Sequence, residues 1–323
     1  MDGEQSDYNL NTGLSTFFAE DNWQLNSLLS LNYGLDISYY NKGKRWTISP
    51  LVTVKYLTDV DVKVYATYGI YHQYISYVHS YKVNYPLSYV WLPADNSIKP
   101  SNATHYVLGV NWDKKGKFHL NIETFYKKLD KIYQTKDSLL TITNEKLTEV
   151  LTKGDGYATG LNLTFRNQIK KFSGFMQYSF TYNKRKFDGI NNGNYFFPQT
   201  DRTHQLTLRE NYYLGNWKGD WNIGVQYMYA TGQPDHFSSN KHDVWLTDII
   251  FHKKDISRIK DYSRVDVSLN HKVNYRHFSI EYYFYVFNLL DYENVYSKVS
   301  YDSICEDIKL FPIMPNIGIK LSW

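Results

Sequence analysis

The stretch that decides the fold ends the chain: residues 311–323 read FPIMPNIGIKLSW. Gly318, Lys320 and Ser322 alternate here with apolar residues, which are Ile317, Ile319, Leu321 and Trp323. A period of two is typical of a β-strand with one apolar and one polar face. Because chain ends usually fray, an apolar end predicts a strand that its neighbours hold in place.

The composition indicates a folded chain that is rich in interfacial aromatic residues. Of the 323 residues, 42% are hydrophobic and 21% are charged, which is too apolar for a disordered protein. Aromatic residues make up 18%, including 32 Tyr and 8 Trp, although the mean hydropathy is −0.52. Tyr and Trp favour positions with one apolar and one aqueous side, such as the interfaces of a membrane.

Several classes of protein are disfavoured by what the sequence lacks. Its longest apolar run, YYFYVFNLL at 282–290, is well short of the roughly 20 residues of a membrane-spanning helix. Residues 1–11 contain no basic region followed by an apolar core, so we expect no export signal. The single cysteine, Cys305, excludes an internal disulfide and a cysteine-based metal cluster. A net charge of +4 spread along the chain gives little support for nucleic-acid binding.

Strict alternation recurs through nearly the whole sequence and predicts about thirteen strands, most of them long enough to cross a membrane at a tilt. For the first strand, we assign Leu14, Thr16 and Phe18 to the apolar face. Later apolar faces begin or end in Tyr or Trp, as two aromatic girdles around an aliphatic band require. The opposite faces carry charged and amide side chains: Asn32, Asp36, Lys55, Lys63, Asn111, Glu123, Asn162, Arg166, Gln177, Arg209, Gln226, Asp266, Asn270 and Glu281.

The connections between predicted strands alternate in length. Short links fall near 20–24, 57–59, 113–117, 170–171, 215–220 and 274–277, and long links near 71–105, 127–156, 183–203, 230–264 and 287–316. The link at 41–45 is the one exception, because it is short although its place in the alternation is that of a long link. In an up-and-down sheet every second connection lies at the same rim, so one rim has turns and the other has large loops. Outer-membrane barrels are built in this way.

The sequence therefore predicts an all-β fold, an antiparallel up-and-down transmembrane β-barrel. A soluble β-sandwich is the alternative, and it also explains alternation. It gives no reason for such long strands, for loops segregated to one rim, or for so many interfacial aromatic residues.

The order of short motifs resembles the barrel of TonB-dependent outer-membrane receptors over nearly all of the chain. The stretches that carry the resemblance include IKPSNATHYVLGVNW (98–112), YSFTYNKRKFDGINNGNYFFPQTDRTHQLTL (178–208), YATGQPDHF (229–237), DYSRVDVSLNHKV (261–273) and VFNLLDYENVYS (286–297). No single stretch is diagnostic, but together they are specific.

The resemblance implies a barrel of about 22 strands with a plug domain in its lumen, used for energy-dependent uptake of scarce nutrients. Energy would come from a TonB-type coupling protein that pulls on an N-terminal segment. The chain shows no plug and no coupling box, and about nine early strands are absent relative to that barrel. We therefore expect residues 1–323 to be the C-terminal portion of a receptor barrel. The resemblance also assigns Ile317, Ile319, Leu321 and Trp323 to the signal that the barrel-assembly machinery recognises.

Two predicted loops contain weak candidates for substrate binding. Residues 232–262 bring together His236, His242 and His252 with Asp235 and Asp243, which could bind a metal or a metal chelate. No ligand spacing is fixed, so a solvated loop is the simpler explanation. Residues 71–105 contain many Tyr together with Trp91, His72 and His79. Aromatic platforms of this kind could stack on a sugar or a chelator ring, or could mark strand ends at a membrane interface.

Other motifs carry no chemistry in this reading. GDGYATG (154–160) precedes a predicted strand, so no helix N-terminus is present to hold a phosphate. No strand-to-helix nucleophile turn appears, and we expect no enzyme activity, no cofactor and no metal site. Cys305 is an incidental thiol in this interpretation.

The leading functional hypothesis is a cell outer-membrane receptor barrel for nutrient uptake, with a chelated metal, a cofactor or a glycan as substrate. Its expected partners are outer-membrane lipid, the barrel-assembly machinery and the coupling protein, with no nucleic acid. The alternatives are a non-transporting β-rich binding module and an inactive receptor fragment.

Overall fold

A computed structural model describes residues 11–58, 61–82, 85–114, 116–135, 151–234, 258–301 and 304–323. Thirteen strands form one antiparallel sheet in which neighbours in sequence are neighbours in space, apart from two excursions described below. The sheet strands are β1 Leu14–Gln24, β2 Leu29–Tyr40, β3 Arg45–Leu57, β4 Val62–Gln73, β7 Ser101–Lys114, β8 Phe118–Thr135, β9 Leu151–Ile169, β10 Phe172–Phe187, β11 His204–Asn216, β12 Asp220–Ala230, β13 Tyr262–Asn274, β14 Ser279–Phe287 and β17 Met314–Ser322.

Two small hairpins stand outside this sheet, both in long connections. Strands β5 (Ile75–Lys82) and β6 (Tyr85–Pro93) pair with each other, as do β15 (Val295–Tyr301) and β16 (Ile304–Lys309). A single 3₁₀ turn at Asn191–Gly193 lies in the connection between β10 and β11. No helix among the described residues is long and apolar enough to cross a membrane.

The alternation of short and long connections is confirmed, with one boundary moved. Strand β1 continues to Gln24, so the first turn lies at 25–28 and not at 20–24. We call the two ends of the sheet the short-turn end and the long-loop end. Strand β9 runs through the whole GDGYATG stretch, which confirms that this glycine-rich segment does not open a helix.

The register assigns every strand an apolar face and a polar face, because residues paired across antiparallel strands share a face. Our prediction for β1 was wrong by one residue. Phe17 pairs with Ile37 and Trp23 with Leu31, whereas Phe18 pairs with Asp36. Adjacent phenylalanines at 17 and 18 make both alternations possible in the sequence, and only the pairing with β2 decides between them.

The apolar face is not covered by protein. Ile317 is 82% exposed, Trp46 62% and Ile48 58%, and residues of this kind extend along the sheet. Among the buried apolar side chains of the described residues, two small clusters lie at the long-loop end, one with Leu92, Ile98 and Leu151 and the other with Phe187 and Ile190. A sheet with this surface needs an apolar environment over one whole face.

Aromatic rings line both ends of the apolar face. Towards the short turns, Trp221 stacks on His271 with ring centroids 4.1 Å apart. Towards the long loops, the rings of Tyr39 and Trp46 are 4.9 Å apart and those of Tyr68 and Tyr106 are 5.3 Å apart. The two aromatic girdles expected from the sequence are therefore present.

The sheet is open in this chain. Within the described residues β1 pairs only with β2, and β17 pairs only with β14. The terminal strand is thus held on one side, by pairs such as Phe284 with Ile317 and Ile280 with Leu321. Trp323 follows the strand and is 94% exposed.

Candidate functional site: the polar face and the long-loop rim

The polar face carries the charged and amide residues expected there. Gly109 lies opposite both Tyr65 and Glu123, so the three residues form one row across β4, β7 and β8. The ring of Tyr65 crosses above Gly109, and its hydroxyl donates to Glu123 Oε2 at 2.9 Å. A Cβ on Gly109 would lie 2.1 Å from Tyr65 Cζ. Glycine at 109 therefore allows a tyrosine to bridge three strands on this face.

A buried carboxylate, Asp266, lies on the part of the polar face that β13 and β14 form. The Asp266 side chain is 2% exposed and lies 3.0 Å from Arg264 Nη2. The hydroxyl of Tyr285 donates to Asp266 Oδ2 at 2.8 Å, and the backbone N–H of Asn288 donates to Oδ1 at 2.9 Å. Asp266 is thus satisfied on both oxygens, as a buried carboxylate requires.

Three of the stretches that resemble the receptor family meet at the long-loop rim. Asp201, whose side chain is 1% exposed, accepts a hydrogen bond from Arg258 Nη2 at 2.7 Å. Arg258 Nη1 donates to the carbonyl of Gly232 at 2.8 Å. Asp261 accepts from the backbone N–H of Gly232 at 2.8 Å and from the hydroxyl of Tyr229 at 2.7 Å. We call these five residues the rim network.

The rim network also has an aromatic side. Two cations lie close to the ring of Phe197, with Lys184 Nζ 3.5 Å and Arg258 Cζ 4.9 Å from the ring centroid. Burial lowers the pKa of the Arg202 guanidinium, which follows Asp201 in sequence. The connection that joins β10 to β11 is therefore packed as a structured loop against Arg258, near the end of the next connection.

Two asparagines fix the corner after β14. Asn288 is fully buried, and its Nδ2 donates to the carbonyl of Tyr292 at 3.1 Å. Asn294 accepts from the backbone N–H of Ser263 and donates to its carbonyl, at 2.8 and 2.9 Å. Both asparagines satisfy backbone groups that the ladder leaves unpaired at the strand ends.

The electrostatics of the rim follow from these contacts. The backbone N–H of Gly232, and then the hydroxyl of Tyr229, hold the pKa of Asp261 below its ordinary value. On the exposed hairpin side, a hydrogen bond from Lys309 at 2.9 Å lowers the pKa of Glu293. Glu293 and Lys309 have side chains 64% and 53% exposed, so water and salt screen this second pair.

Some of the predicted substrate-binding residues lie in the described part of the chain. Trp91 in β6 is 61% exposed, and its ring centroid is 4.5 Å from that of Tyr77 in β5. His72 is in β4, with Nδ1 3.0 Å from Ser49 Oγ. The β5–β6 hairpin thus carries an aromatic pair at the long-loop end. His72 instead lies within the thirteen-stranded sheet.

The other substrate-binding candidates lie outside the described residues or have side chains that are not described. His236, His242 and their companions Asp235, Asp243 and His252 fall in residues 235–257, and the side chain of His79 is likewise not described. Their role stays a prediction. In the part of the chain that is described, no three His, Cys, Asp or Glu side chains come together as a metal site would need.

The rim stretches could be recognised in the sequence, but the roles of their polar residues could not. Asp201 and Arg258 are 57 residues apart in sequence, and they meet near Asp261 only because β10 to β13 are neighbours. The available signal was the position of single Asp, Asn and Arg residues at the ends of strands, where unpaired backbone groups need partners.

Together, the open antiparallel sheet with an exposed apolar face, two aromatic girdles, a charged opposite face and loops at one rim define an outer-membrane β-barrel wall. The sequence model of the TonB dependent receptor-like β-barrel matches residues 2–289. The chain belongs to this family, whose members are outer-membrane uptake receptors and transporters and not enzymes.

Several solved structures have a similar fold. The ferric-catecholate import receptor Fiu from K12 E. coli is 15% identical with a TM-score of 0.67, and the match covers 96% of this chain and 44% of that one. The ferric yersiniabactin uptake receptor FyuA from Yersinia pestis is 15% identical with a TM-score of 0.65, and the match covers 96% of this chain and 45% of that one. The siderophore receptor PiuA from Acinetobacter baumannii is 12% identical with a TM-score of 0.67, and the match covers 96% of this chain and 43% of that one.

The chain spans less than half the length of these structures. No curated protein matches the sequence.

Proposed function

We propose that the chain is the C-terminal portion of an outer-membrane receptor barrel that takes up a scarce nutrient in an energy-dependent way. The observation that carries the proposal is the contrast between the two faces of the sheet. Ile317 and Ile48 are exposed on one face, while the other face carries Glu123 and the buried Asp266. Lipid on the first face and a wet lumen on the second explain both.

A metal chelate is the substrate class that we favour over a free cofactor or a glycan. The similar structures include import receptors for ferric catecholate and ferric yersiniabactin. In this chain, Trp91 and Tyr77 offer an exposed aromatic pair on the β5–β6 hairpin. Aromatic rings can stack on the planar groups of a chelator.

The remaining partners belong to the same proposal. The two unpaired edges of the sheet, β1 and β17, would be costly in lipid, which supports additional strands that close the barrel. A plug in the lumen and a TonB-type protein would supply gating and energy. The barrel-assembly machinery would recognise Ile317, Ile319, Leu321 and Trp323, and outer-membrane lipid would contact the apolar face.

An uptake assay tests the proposal. The chain behind an export signal, and the longest reading frame that contains it, are each expressed in a Gram-negative strain that lacks its own ferric-chelate receptors. Binding of radiolabelled ferric catecholate is measured in the cold, and uptake is measured at growth temperature with and without a protonophore. We expect binding, with protonophore-sensitive uptake by the longer product. If neither product showed binding or uptake, the chelate assignment would be contradicted.

The variant Trp91→Ala tests the role of the hairpin within the same assay. We expect weaker chelate binding because one ring of the aromatic pair is lost. The matched control is Trp217→Ala, since Trp217 is also exposed, at 71%, but lies at the short-turn end of the sheet. Equal loss of binding in both variants would indicate a folding defect and would contradict a ligand contact at Trp91.

A further inference from the structure

A cation stands next to an aromatic residue at four successive turns of the short-turn end. These turns join β7 to β8, β9 to β10, β11 to β12 and β13 to β14, and we call them the basic turns. The residue pairs that are adjacent in sequence are Lys117 with Phe118, Lys171 with Phe172, Trp217 with Lys218, and Tyr275 with Arg276. Lys114 and Lys170 add further cations at the first two turns. The short-turn end therefore carries positive charge beside its aromatic girdle.

The aromatic residues of the basic turns extend the apolar face. Phe172 pairs with Tyr212, and the two ring centroids are 4.7 Å apart. The rings of Tyr275 and Phe278 are also 4.7 Å apart, and Trp217 is 71% exposed. Trp and Tyr at the end of a lipid-facing surface lie at the level of the lipid headgroups. The neighbouring cations are therefore at the depth of the lipid phosphates.

The two carboxylates that flank these turns already have partners on the polar face. Asp113 lies 2.8 Å from His119 Nδ1, and Asp220 accepts a hydrogen bond from the Tyr213 hydroxyl at 2.8 Å. His119 pairs with Asp113 across the strands, and Lys272 pairs with Asp220. Both pairs belong to rows of the polar face, so neither carboxylate neutralises a cation beside the apolar face.

In the part of the chain that the structure describes, the cations of the basic turns lack a carboxylate partner. The exposed residues that make no ion pair are Lys114, Lys117, Lys170, Lys218 and Arg276. Lys171 Nζ donates to the carbonyl of Leu214 at 3.4 Å, which leaves its charge uncompensated. The two short turns nearer β1, at 25–28 and 58–61, contain no Lys or Arg. The basic turns are thus a feature of one part of the sheet, from β7 to β14.

The spacing of the basic turns fits a membrane surface and not a single small anion. Neighbouring strands are about 4.8 Å apart, so successive turns at one end of the sheet are about 10 Å apart. Four turns therefore extend over about 30 Å. One phosphate group cannot contact cations spread over that length, whereas a lipid leaflet presents a headgroup to each turn. A soluble polyanion would match the charge but would leave Trp217 exposed to water.

We propose that the basic turns bind the headgroup phosphates of anionic phospholipids in the leaflet at the short-turn end. Each turn places an aromatic ring in the membrane interface and a cation beside a lipid phosphate. Anchors of this kind set the depth and tilt of a membrane-spanning element. The inference rests on the proposed membrane location of the apolar face.

The experiment uses the chain refolded into phosphatidylcholine vesicles that contain a small fraction of a brominated lipid. Bromine on the acyl chain near the headgroup quenches the fluorescence of a tryptophan that the lipid contacts. The signal of Trp217 is the difference between the wild type and Trp217→Phe. We expect brominated phosphatidylglycerol to quench this signal more than brominated phosphatidylcholine does, with about fivefold stronger association for each cation in contact. High salt should remove the difference.

A double variant, Lys170→Asn with Lys218→Asn, tests whether the cations cause this preference. Both residues have a left-handed backbone, with φ of 51° and 52°. Asn adopts this conformation more readily than most residues do, so the substitutions remove charge without straining the turns. We expect most of the preference for phosphatidylglycerol to be lost.

The matched control is Lys44→Asn. Lys44 is also exposed and left-handed, with φ of 46°, but it lies in a turn at the long-loop end. This variant should keep the preference of the wild type. A preference that persists in the double variant, or an equal loss in the control, would overturn the inference.

Failure of this inference can be distinguished from failure of the proposed function. Insertion into vesicles is measured first, by heat-modifiable gel migration. If the chain does not insert, the membrane location is wrong and this inference fails with it. If the chain inserts and the two lipids quench equally, only the binding of anionic headgroups is wrong. Equal quenching together with heparin binding by the chain in micelles would assign the basic turns to a soluble polyanion instead.

Discussion

At the scale of single residues, the rim network illustrates how few side chains hold a long loop. Asp201 is almost fully buried, and Arg258 is its cationic partner. Removing one member of a buried ion pair leaves the other uncompensated, which costs more than the intact pair contributes. Asp261 acts differently, since its partners are a backbone N–H and a tyrosine hydroxyl.

The first prediction concerns Asp201→Asn. We expect the free energy of unfolding in detergent to fall by roughly 3 kcal/mol, because Arg258 loses its charged partner in a largely buried site. Urea titration followed by heat-modifiable gel migration measures the change. The control is Asp130→Asn, since Asp130 is 32% exposed and pairs at 3.4 Å with Lys128, which is 58% exposed. This substitution should cost less than about 1 kcal/mol. Equal losses would contradict the role of burial.

The second prediction concerns acid stability and Asp261. A lowered pKa in the folded state contributes stability that is present above the unfolded pKa and is lost as the pH falls through the folded pKa. Stability of the rim should therefore decrease below the ordinary aspartate value of 3.8. Asp261→Asn should reduce this pH dependence, as measured by unfolding at a series of acidic pH values.

The comparison for Asp261 is Glu293→Gln. The Glu293 pKa is also lowered, by Lys309, but the pair is exposed and should lose its effect in high salt. If Asp261→Asn retained the full acid dependence of the wild type, Asp261 would not be its source.

At the scale of elements, close contacts between strands depend on glycine positions. Gly109 allows Tyr65 to reach Glu123, and Gly318 lies under Tyr283, where a Cβ would be 2.1 Å from the ring. Each is a glycine in a strand interior, which weakens a strand unless another group packs over the missing side chain. Here the rings of Tyr65 and Tyr283 pack over Gly109 and Gly318 on the polar face.

The third prediction is that Gly109→Ala destabilises the barrel by about 1–3 kcal/mol, because the new methyl group displaces the Tyr65 ring. The matched control is Gly34→Ala on the same face, whose Cβ would be 3.4 Å from the Ala19 carbonyl oxygen, an ordinary contact. In a Tyr65→Ala background the Gly109→Ala cost should nearly vanish. A cost that is unchanged in this double-mutant cycle would rule out the ring as the cause.

The fourth prediction addresses the terminal strand. Ile317→Arg places a charge on the apolar face and should cost up to about 2–4 kcal/mol, depending on depth in the bilayer. Asn316→Arg is the control, since Asn316 pairs with Tyr285 on the polar face. The folded fraction after insertion into vesicles, read from gel migration, measures both. Similar losses in the two variants would contradict the assignment of faces.

At the scale of the whole molecule, the small buried core has a direct consequence. The described apolar clusters contain only a few residues at the long-loop end, while large apolar side chains such as Phe284 and Leu321 remain exposed. A protein of this kind gains too little from its own core to fold in water. Its folding must include the transfer of one face of the sheet into lipid.

The fifth prediction is that residues 1–323 form a cooperative, heat-modifiable β fold in detergent micelles and not in plain buffer. Circular dichroism and gel migration on matched samples measure this. A monodisperse, stable β fold in buffer would contradict the membrane location and would favour a soluble binding module. A fold that appears in micelles but binds no chelate would favour an inactive receptor fragment.

The sequence by itself determined the strands, their two faces and the rim at which the long loops lie. These features depend on residue order alone, because a period of two and alternating loop lengths can be counted along the chain. The error in β1 arose where Phe17 and Phe18 made two alternations equal. The family resemblance was also readable, although its stretches gave no roles to Asp201 or Asn288.

Only the tertiary structure decided which distant residues meet. The Asp201–Arg258 pair and the Tyr65–Glu123 pair join residues on different strands or loops, so their partners depend on strand order and register. In a sheet, a shift of one residue moves every side chain to the opposite face. That is why cross-strand contacts on both faces follow from the assembled register and cannot be read from any single strand.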